Sequence, residues 1–283
     1  MVTFPNAKIN IGLDILRKRA DGYHDISTVM MPIPWKDILE IVPSKGDSDT
    51  LVVSGRGVNC GPEQNIVLKA VAAMRKVADF PAVDIFLHKV IPDGAGLGGG
   101  SADAAFTLVM LNDMFSLGLE SEGLADIAAT LGADCPFFVV NRPMLCEGTG
   151  TDMSCFELSL PTDITLVVIK PPVSVPTRDA YSAVSPQLPE ISLERLLHDL
   201  EISQWQGRVK NDFERSVMTA CPIVGTIKEA LLGAGATYAS MSGSGSAVYG
   251  LFLDADCDTL AGAMKSLFPE YDMIVERIQA DAS

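Results

Sequence analysis

The chain carries little positive charge and has no long apolar run. Lysine and arginine together number 21 against 36 acidic residues, a formal net charge of −15, and the longest basic run is Arg17–Arg19. A protein with this net negative charge is repelled by nucleic acid and by anionic membrane surfaces, so neither is expected as a partner. The longest apolar runs fall far short of a bilayer span, and the N-terminus lacks a signal-peptide pattern. These absences predict a soluble cytoplasmic protein.

Metal-binding and disulfide patterns are also missing. The six cysteines fall at irregular spacings without a C-x-x-C pair, which predicts reduced thiols rather than a disulfide framework or a zinc site. Two of the three histidines, His88 and His198, stand in patterns that contain no partner residue. No carboxylate cluster suggests a dedicated metal site.

The 283 residues, 48% of them hydrophobic, suffice for one large domain or two ordinary ones. "KINIGLDI" alternates, which predicts a half-buried strand with Lys8 and Asn10 side by side on its open face. The Asp21-Gly22 step that follows is a hairpin-turn signal. Further short strands and helices follow without a regular βαβ alternation, so the expected fold class is α+β.

A stretch rich in proline divides the sequence. Residues 171–190 hold five prolines and show no periodicity, which predicts a connection between lobes. We expect an N-terminal domain at residues 1–154 and a C-terminal domain at residues 155–283. The second contains helical patterns and a glycine–serine loop, "MSGSGSA", at residues 241–247.

The most distinctive segment is "GAGLGGG", in which five of seven residues, Gly94 to Gly100, are glycine. It follows a predicted strand and precedes a helix expected from about Ser101 to Phe115. Glycine weakens regular structure, so such a run indicates that backbone N–H groups approach something closely. A strand, a glycine turn and a helix N-terminus together form a phosphate site. The alternative is a tight turn at a packing contact.

Two common glycine motifs fit this segment poorly. Gly94, Gly96 and Gly99 satisfy G-x-G-x-x-G, but the first βα turn of a parallel sheet, which that dinucleotide motif requires, is not predicted here. The spacing of a P-loop is also present, yet Gly100 stands where that loop has its lysine. A phosphate site at this position therefore needs a cation from elsewhere. A protein-kinase glycine loop is excluded, since no H-R-D or D-F-G follows.

"IPDGAGLGGGSADAA" resembles the second motif of the GHMP small-molecule kinases. "AKINIGLDILRKRADGYHDI", "LGADCPFFV", "VSVPT" and "MSGSGSAVYGLF" are similar to motifs of one branch of that family, which acts on a CDP-linked methylerythritol in isoprenoid biosynthesis. The resemblance spans the whole chain. It implies a two-lobed α+β fold, with an N-terminal lobe like ribosomal protein S5 domain 2 and a C-terminal ferredoxin-like α/β lobe.

The resemblance also implies transfer of the γ-phosphoryl group of ATP to the 2-hydroxyl of that substrate. Lys8 and Asp134 would be the catalytic pair. The residues implied for ATP are Asn65, Lys89, Pro92, Asp93, Gly94, Ala95, Gly96, Leu97, Gly98, Gly99, Gly100, Ser101 and Ala102. Those implied for the substrate are Asn10, Tyr23, His24, Thr177, Tyr181, Gly243, Ser244 and Gly245, with the two tyrosines placed to sandwich cytosine. Magnesium would arrive bound to ATP.

These assignments fit the chemistry of phosphoryl transfer. Lys8 would supply the positive charge that the glycine loop lacks, and Asp134 would accept or orient the hydroxyl proton. Asp103 is expected to be a helix-start residue, or else to hold Mg²⁺ through water. Family members usually carry a serine at the position of Ala102. Two alternative functions remain open: another GHMP kinase activity, and nucleotide binding without catalysis. The sequence also leaves open whether the protein is a monomer or a homodimer.

Overall fold

A computed structural model describes residues 1–57, 61 and 64–278, so that Cys60 lies outside the described residues. The chain forms two compact units, each built from several segments. The first comprises Met1–Lys8, Trp35–Asp93 and Gly98–Arg142; the second comprises Ile9–Pro34, Gly94–Leu97 and the chain from Pro143 onward. The division at residue 154 stays a prediction. None of the helices within the described ranges is long and apolar enough to cross a membrane.

Strands dominate the first part of the chain, and helices and further strands are mixed after it. The strands are β1 (Val2–Thr3), β2 (Asn6–Lys18), β3 (His24–Lys36), β4 (Ile38–Pro43), β5 (Thr50–Gly55), β6 (Val83–Lys89), β7 (Met144–Glu147), β8 (Asp152–Cys155), β9 (Ile164–Lys170), β10 (Tyr238–Met241), β11 (Val248–Leu253) and β12 (Asp272–Ile278). The helices are α1 (Ile66–Met74), α2 (Gly99–Phe115), α3 (Ser121–Ala129), α4 (Cys135–Val140), α5 (Thr177–Ser182), α6 (Leu193–Asp199), α7 (Glu214–Ala220), α8 (Pro222–Gly233) and α9 (Cys257–Leu267).

The first unit packs helices α1 to α4 on one face of a sheet of order β1-β4-β6-β5. Strand β6 shows why, because Val83, Ile85 and Leu87 are buried while Phe86 is 43% exposed. The buried residues meet Val71 of α1 and others of the helices in one apolar core. Strands β5 and β6 pair in parallel across helix α1, so this unit contains one βαβ crossover. The rest of its sheet is antiparallel.

The second unit contains two antiparallel sheets. One has the order β2-β3-β7-β8, and its first two strands are joined by the predicted turn, where Gly22 has a φ of 90°. The other has the order β10-β11-β9-β12, with helices before β10 and between β11 and β12. That order of four strands with those connections is ferredoxin-like. The predicted α+β class and the predicted C-terminal architecture are therefore confirmed.

The prediction of an open face on strand β2 was wrong. The strand runs from Asn6 to Lys18 and is buried on both faces over its first eight residues. Lys8 is 4% exposed and Asn10 is 2% exposed. Polar residues occupy alternate positions here because each meets a specific polar partner, described below, and not because water covers them.

Two local predictions also differ from the structure. Helix α2 begins at Gly99, two residues before the predicted start. The proline-rich stretch 171–190 lies wholly in the second unit and is not a connection between units. It contains the short helix α5, and Pro176 occupies the N-cap position, where it does not interrupt helical hydrogen bonds.

Candidate active site

Helix α2 of the first unit begins without a side chain to satisfy its first backbone donors. Its N-cap residue is Gly98, with a φ of 70°, and no side chain makes a capping hydrogen bond. The backbone N–H of Ala102 bonds to the carbonyl of Gly98 at 2.9 Å, which closes the first turn. The N–H groups of residues 99–101, at the start of the helix, have no carbonyl of a preceding helical turn to bond to. The helix dipole places partial positive charge at the same end. This end of the helix can bind an anion.

Packing explains part of the glycine run. Gly94, Gly96 and Gly98 have φ values of 60°, 73° and 70°, a region that other residues adopt rarely. A Cβ atom on Gly96 would lie 2.1 Å from the carbonyl oxygen of Ser242, and one on Gly98 would lie 2.9 Å from the Phe138 ring. The alternative of a tight turn thus accounts for these positions.

Packing does not explain Gly100. It is exposed, and the nearest atom to a Cβ at this position, a methyl group of Ile66, would be 4.0 Å away. The residue is helical and lies in the first turn of α2, where alanine would stabilise the helix. A small residue here leaves the space above the uncapped N–H groups open.

The predicted catalytic pair comes together at this helix start. Lys8 Nζ lies 3.5 Å from Asp134 Oδ2. The Lys8 stem passes 3.2 Å from the position that a Cβ atom of Gly98 would occupy. Asp134 holds the N-cap position of α4 but makes no capping hydrogen bond with its side chain. The lysine is buried and the aspartate is 33% exposed, so the carboxylate reaches solvent at the edge of the pair.

Cys135 lies next to this pair but is not a nucleophile. Burial raises the pKa of its thiol to about 11, a hydrogen bond with the Ser101 side chain opposes that rise, and the charge of Asp134 adds to it. The thiol therefore stays protonated at neutral pH. The contact places the Ser101 side chain at the same helix start.

Lys89 belongs to a buried ion cluster in the first unit. Its ammonium group pairs with Asp37, and with Asp103 at 2.6 Å. Burial alone would lower the pKa of Lys89, but the charges of Asp103 and Asp37 raise it above its usual value. Asp37 also accepts hydrogen bonds from the backbone of Val90 and Ile91. The prediction that Asp103 is a helix-start residue is thus corrected: it is a buried ion-pair residue within α2, which begins at Gly99.

The other residues predicted to bind ATP differ in their burial and hydrogen bonding. Asn65 is the N-cap of α1 and accepts a hydrogen bond from the N–H of Val67 at 2.9 Å. Ala95, Leu97 and Ala102 are buried, so contacts with a ligand would come from their backbone. Pro92 is also buried, whereas Asp93 is exposed.

In the second unit, Asn10 lies in a buried polar network. Its Nδ2 donates to Thr28 Oγ1 at 3.0 Å, its N–H donates to Ser242 Oγ at 3.2 Å, and its carbonyl accepts from Tyr249 Oη at 2.9 Å. A Cβ atom on Gly243 would lie 3.3 Å from Asn10 Oδ1. The network thus ties β2 to the second glycine loop.

Two of the predicted substrate residues, His24 and Tyr181, pack in a group of aromatic rings. A third, Tyr23, directly precedes His24 in the chain. His24 stacks on Tyr181 with ring centroids 4.9 Å apart, and the edge of Phe213 meets Tyr181 at 4.8 Å. Tyr23 is 68% exposed on the β2–β3 turn. The structure thus places His24 against the ring of Tyr181, and the cytosine sandwich stays a prediction.

The second glycine loop meets helix α5. Thr177 Oγ1 lies 3.1 Å from Ser244 Oγ, on the exposed side of both segments. Gly243 and Gly245 have φ values of 54° and 88°, so glycine suits both positions. The predicted residues Thr177, Gly243, Ser244 and Gly245 are therefore neighbours. Over the ranges that the structure describes, no group of three or more histidine, cysteine, aspartate or glutamate side chains could hold a metal ion.

Comparison with known proteins gives the class of the chain. Residues 65–142 match the N-terminal domain of the GHMP kinases, and residues 185–270 match their C-terminal domain. The chain therefore belongs to the GHMP kinases, and the predicted two-lobed fold of that class is confirmed.

Individual relatives narrow this class. The chain is 49% identical over 252 residues to the 4-diphosphocytidyl-2-C-methyl-D-erythritol kinase of Parabacteroides distasonis, covering 89% of this chain and 92% of that one. It is 45% identical over 255 residues to the enzyme of the same name from Porphyromonas gingivalis, with the same coverage. Within the GHMP kinases, it belongs to the family of 4-diphosphocytidyl-2-C-methyl-D-erythritol kinases.

Solved structures agree with this placement. A crystal structure of 4-(cytidine 5'-diphospho)-2C-methyl-D-erythritol kinase is similar with a TM-score of 0.81 and 30% identity over 99% of both chains. A homoserine kinase from Cytophaga hutchinsonii has a TM-score of 0.66 at 19% identity, covering 97% of this chain and 96% of that one. The second likeness shows the fold alone.

Sequence reasoning missed several residues that hold the site together. Asp37 completes the ion cluster of Lys89 from 52 positions away. Asn211 contacts the second glycine loop, and Phe213 meets Tyr181. The only sequence signal for the last two is that polar and aromatic residues crowd into "NDFE" at residues 211–214, which does not identify their partners.

Proposed function

We propose that this protein transfers the γ-phosphoryl group of ATP to the 2-hydroxyl of 4-diphosphocytidyl-2-C-methyl-D-erythritol. The observation that carries the proposal is the Lys8–Asp134 pair, at 3.5 Å, beside the uncapped start of helix α2. Phosphoryl transfer needs an anion site, a cation near the moving group and a carboxylate near the attacking hydroxyl. All three features occur in one unit.

The substrate assignment is supported by the relatives' names and by the second unit. Tyr181 and His24 present flat rings, and Tyr23 is exposed nearby in sequence. Stacking on such rings is worth roughly 1–3 kcal/mol per base, by analogy with proteins that bind single strands. Thr177 and Ser244 add exposed hydroxyl groups. We infer that these residues hold the CDP part of the substrate.

Each member of the pair has a defined task in the proposed reaction. The substrate 2-hydroxyl oxygen forms a bond to the γ-phosphorus, the bond from that phosphorus to the β–γ bridging oxygen breaks, and its electron pair leaves with ADP. Asp134 accepts or orients the proton of the hydroxyl. Lys8 stabilises the developing negative charge on the oxygens. The cation that a P-loop supplies from its own loop comes here from strand β2.

The first turn of α2 and its open glycines would hold ATP phosphates through backbone N–H groups. Magnesium is expected to arrive on those phosphates and to keep most of its water ligands. When bound, the ion neutralises charge on the phosphates.

The deciding experiment measures ADP formation from ATP with three alcohols: 4-diphosphocytidyl-2-C-methyl-D-erythritol, mevalonate and homoserine. We expect turnover with the first alone. In Asp134→Ala, kcat should fall about 100- to 10,000-fold, the range for a positioned proton acceptor, while ATP binding measured by calorimetry is kept. Turnover with mevalonate or homoserine would reassign the substrate, and wild-type kcat in Asp134→Ala would remove the aspartate from the mechanism.

A further inference from the structure

Segment 211–214, with the sequence Asn-Asp-Phe-Glu, connects to four different parts of the second unit. It leads into helix α7, whose first residue is Glu214, and Asn211 and Phe213 are 3% and 1% exposed. None of its side chains belongs to the predicted site. Each of them nevertheless contacts an element that carries predicted substrate residues or leads to one.

Asn211 holds the second glycine loop by its backbone. Its Nδ2 donates to the carbonyls of Met241 at 2.8 Å and Gly243 at 2.9 Å. These carbonyls flank Ser242, whose hydroxyl accepts from the N–H of Asn10. Both protons of the amide are thereby used, and the first turn of the loop is fixed at two points.

The same side chain also fixes the aromatic residue beside Tyr181. Asn211 Oδ1 accepts a hydrogen bond from the N–H of Phe213 at 3.0 Å. Phe213 in turn places the edge of its ring against Tyr181. One buried amide therefore links the backbone of the loop to the support of the stacking ring.

The remaining two side chains fix the flanking strands. Asp212 Oδ2 accepts from the N–H of Ile15 on β2 at 2.8 Å. Glu214 Oε1 accepts from the N–H of Met241 at 3.0 Å and also binds Lys228 through its other oxygen. With β2 and β10 held by these neighbours, the amide of Asn211 is the member of the segment that contacts the glycine loop after β10.

We propose that Asn211 is a positioning residue for substrate recognition: it sets the second glycine loop and the Tyr181 ring at the spacing that a CDP group requires. This rests on the proposed function. A buried amide that donates twice and accepts once cannot be replaced by a carboxylate, which has no proton to donate at neutral pH and would repel the two carbonyl oxygens.

The test compares Asn211→Asp with Asn112→Asp. Asn112, near the end of α2, is a matched control, because its side chain also holds loop backbone. It donates to the carbonyl of Leu119 at 3.1 Å and accepts from the N–H of the same residue at 3.0 Å, in a loop after α2 that has no predicted role. For Asn211→Asp, we expect KM for the CDP-linked alcohol to rise at least about 10-fold and CDP to bind about 10-fold more weakly in calorimetry. KM for ATP should stay within about 2-fold, and the control should leave both KM values unchanged.

Asn211→Ala removes the donors without adding charge and carries the test if the aspartate variant does not fold. Unchanged CDP affinity in a folded Asn211 variant overturns the proposal. An equal rise in the KM values for ATP and for the CDP-linked alcohol overturns it as well, since it shows an effect that is not specific to substrate recognition. If wild type binds CDP but does not turn over the CDP-linked alcohol, the proposed reaction is refuted. The positioning role still stands in that case if the Asn211 variants bind CDP more weakly than wild type. Wild type that does not bind CDP refutes both.

Discussion

Two lysines of the first unit are equally buried and both pair with aspartate, yet their surroundings differ. Lys89 is enclosed with Asp37 and Asp103, which are 0% and 3% exposed. Lys8 has a longer contact, 3.5 Å, to a carboxylate that is 33% exposed. The first arrangement closes on itself. The second leaves a carboxylate open at the start of a helix, where a ligand can join the pair.

This difference separates charges that hold the fold from charges that can do chemistry. A buried pair loses solvation that its mutual attraction only partly returns, and it becomes costly when one partner is removed. Asp37 also bonds the backbone at the end of β6, so the Lys89 cluster fixes the strand that leads into the glycine run. The family resemblance assigns Lys89 to ATP; its surroundings point instead to a structural contribution.

The largest expected effect comes from replacing Lys89. Lys89→Met leaves Asp37 and Asp103 facing each other without a cation and should lower the free energy of unfolding by about 3–5 kcal/mol. The loss should be greater at pH 8 than at pH 5, because protonation of Asp103 relieves the repulsion. Urea denaturation followed by circular dichroism measures it. A loss below about 1 kcal/mol would show that the cluster does not hold the fold.

Lys8→Met is the matched variant for the other pair. Its stability should change by less than about 1 kcal/mol, because Asp134 reaches solvent and keeps its hydration when the ammonium is lost. Its kcat should nevertheless fall about 100-fold or more, as when one group that stabilises developing charge is lost. If Lys8→Met were instead unfolded and Lys89→Met fully stable but inactive, the roles assigned to the two lysines would have to be exchanged.

The glycine run offers a second contrast in the same helix start. Gly98→Ala forces a side chain into a positive φ and against the Phe138 ring, which should cost about 2–4 kcal/mol of stability. Gly100→Ala should raise stability by up to about 1 kcal/mol, since alanine favours helix, but weaken ATP binding. Thermal denaturation and ATP calorimetry test both. Unchanged ATP affinity in Gly100→Ala would mean that the open space above the helix is not the phosphate site.

Sequence reasoning reached the elements and the catalytic pair for different reasons. Local signals predicted the turn at Gly22 between β2 and β3 and the helix after the glycine run. Alternation failed on the polar face of strand β2, since it cannot reveal what covers that face. The pairing of Lys8 with Asp134 came from the family resemblance and not from spacing. Asn211 could not be found, because its partners lie 30 and 32 residues further along the chain.

The remaining expected effect is a change in the pH dependence of stability. Burial raises the pKa of Asp103 to about 7, Lys89 opposes that rise, and Asp37 adds to it. The folded protein thus keeps this proton up to about pH 7, whereas the unfolded chain releases it near the ordinary value of 3.8. The free energy of unfolding should therefore fall as pH rises through this window, by at most about 1.4 kcal/mol per pH unit for one proton.

Asp103→Asn removes that proton while keeping the shape of the side chain, so its stability should decline less steeply between pH 4 and 7. Asp113→Asn, on the exposed side of the same helix, removes a carboxylate outside the cluster and serves as the control. Denaturation at several pH values gives the two slopes. Parallel curves for wild type and Asp103→Asn would contradict this prediction, because they would show that folding does not change the protonation of Asp103 between pH 4 and 7. Lys89 would then pair with an Asp103 that stays ionised in the folded protein.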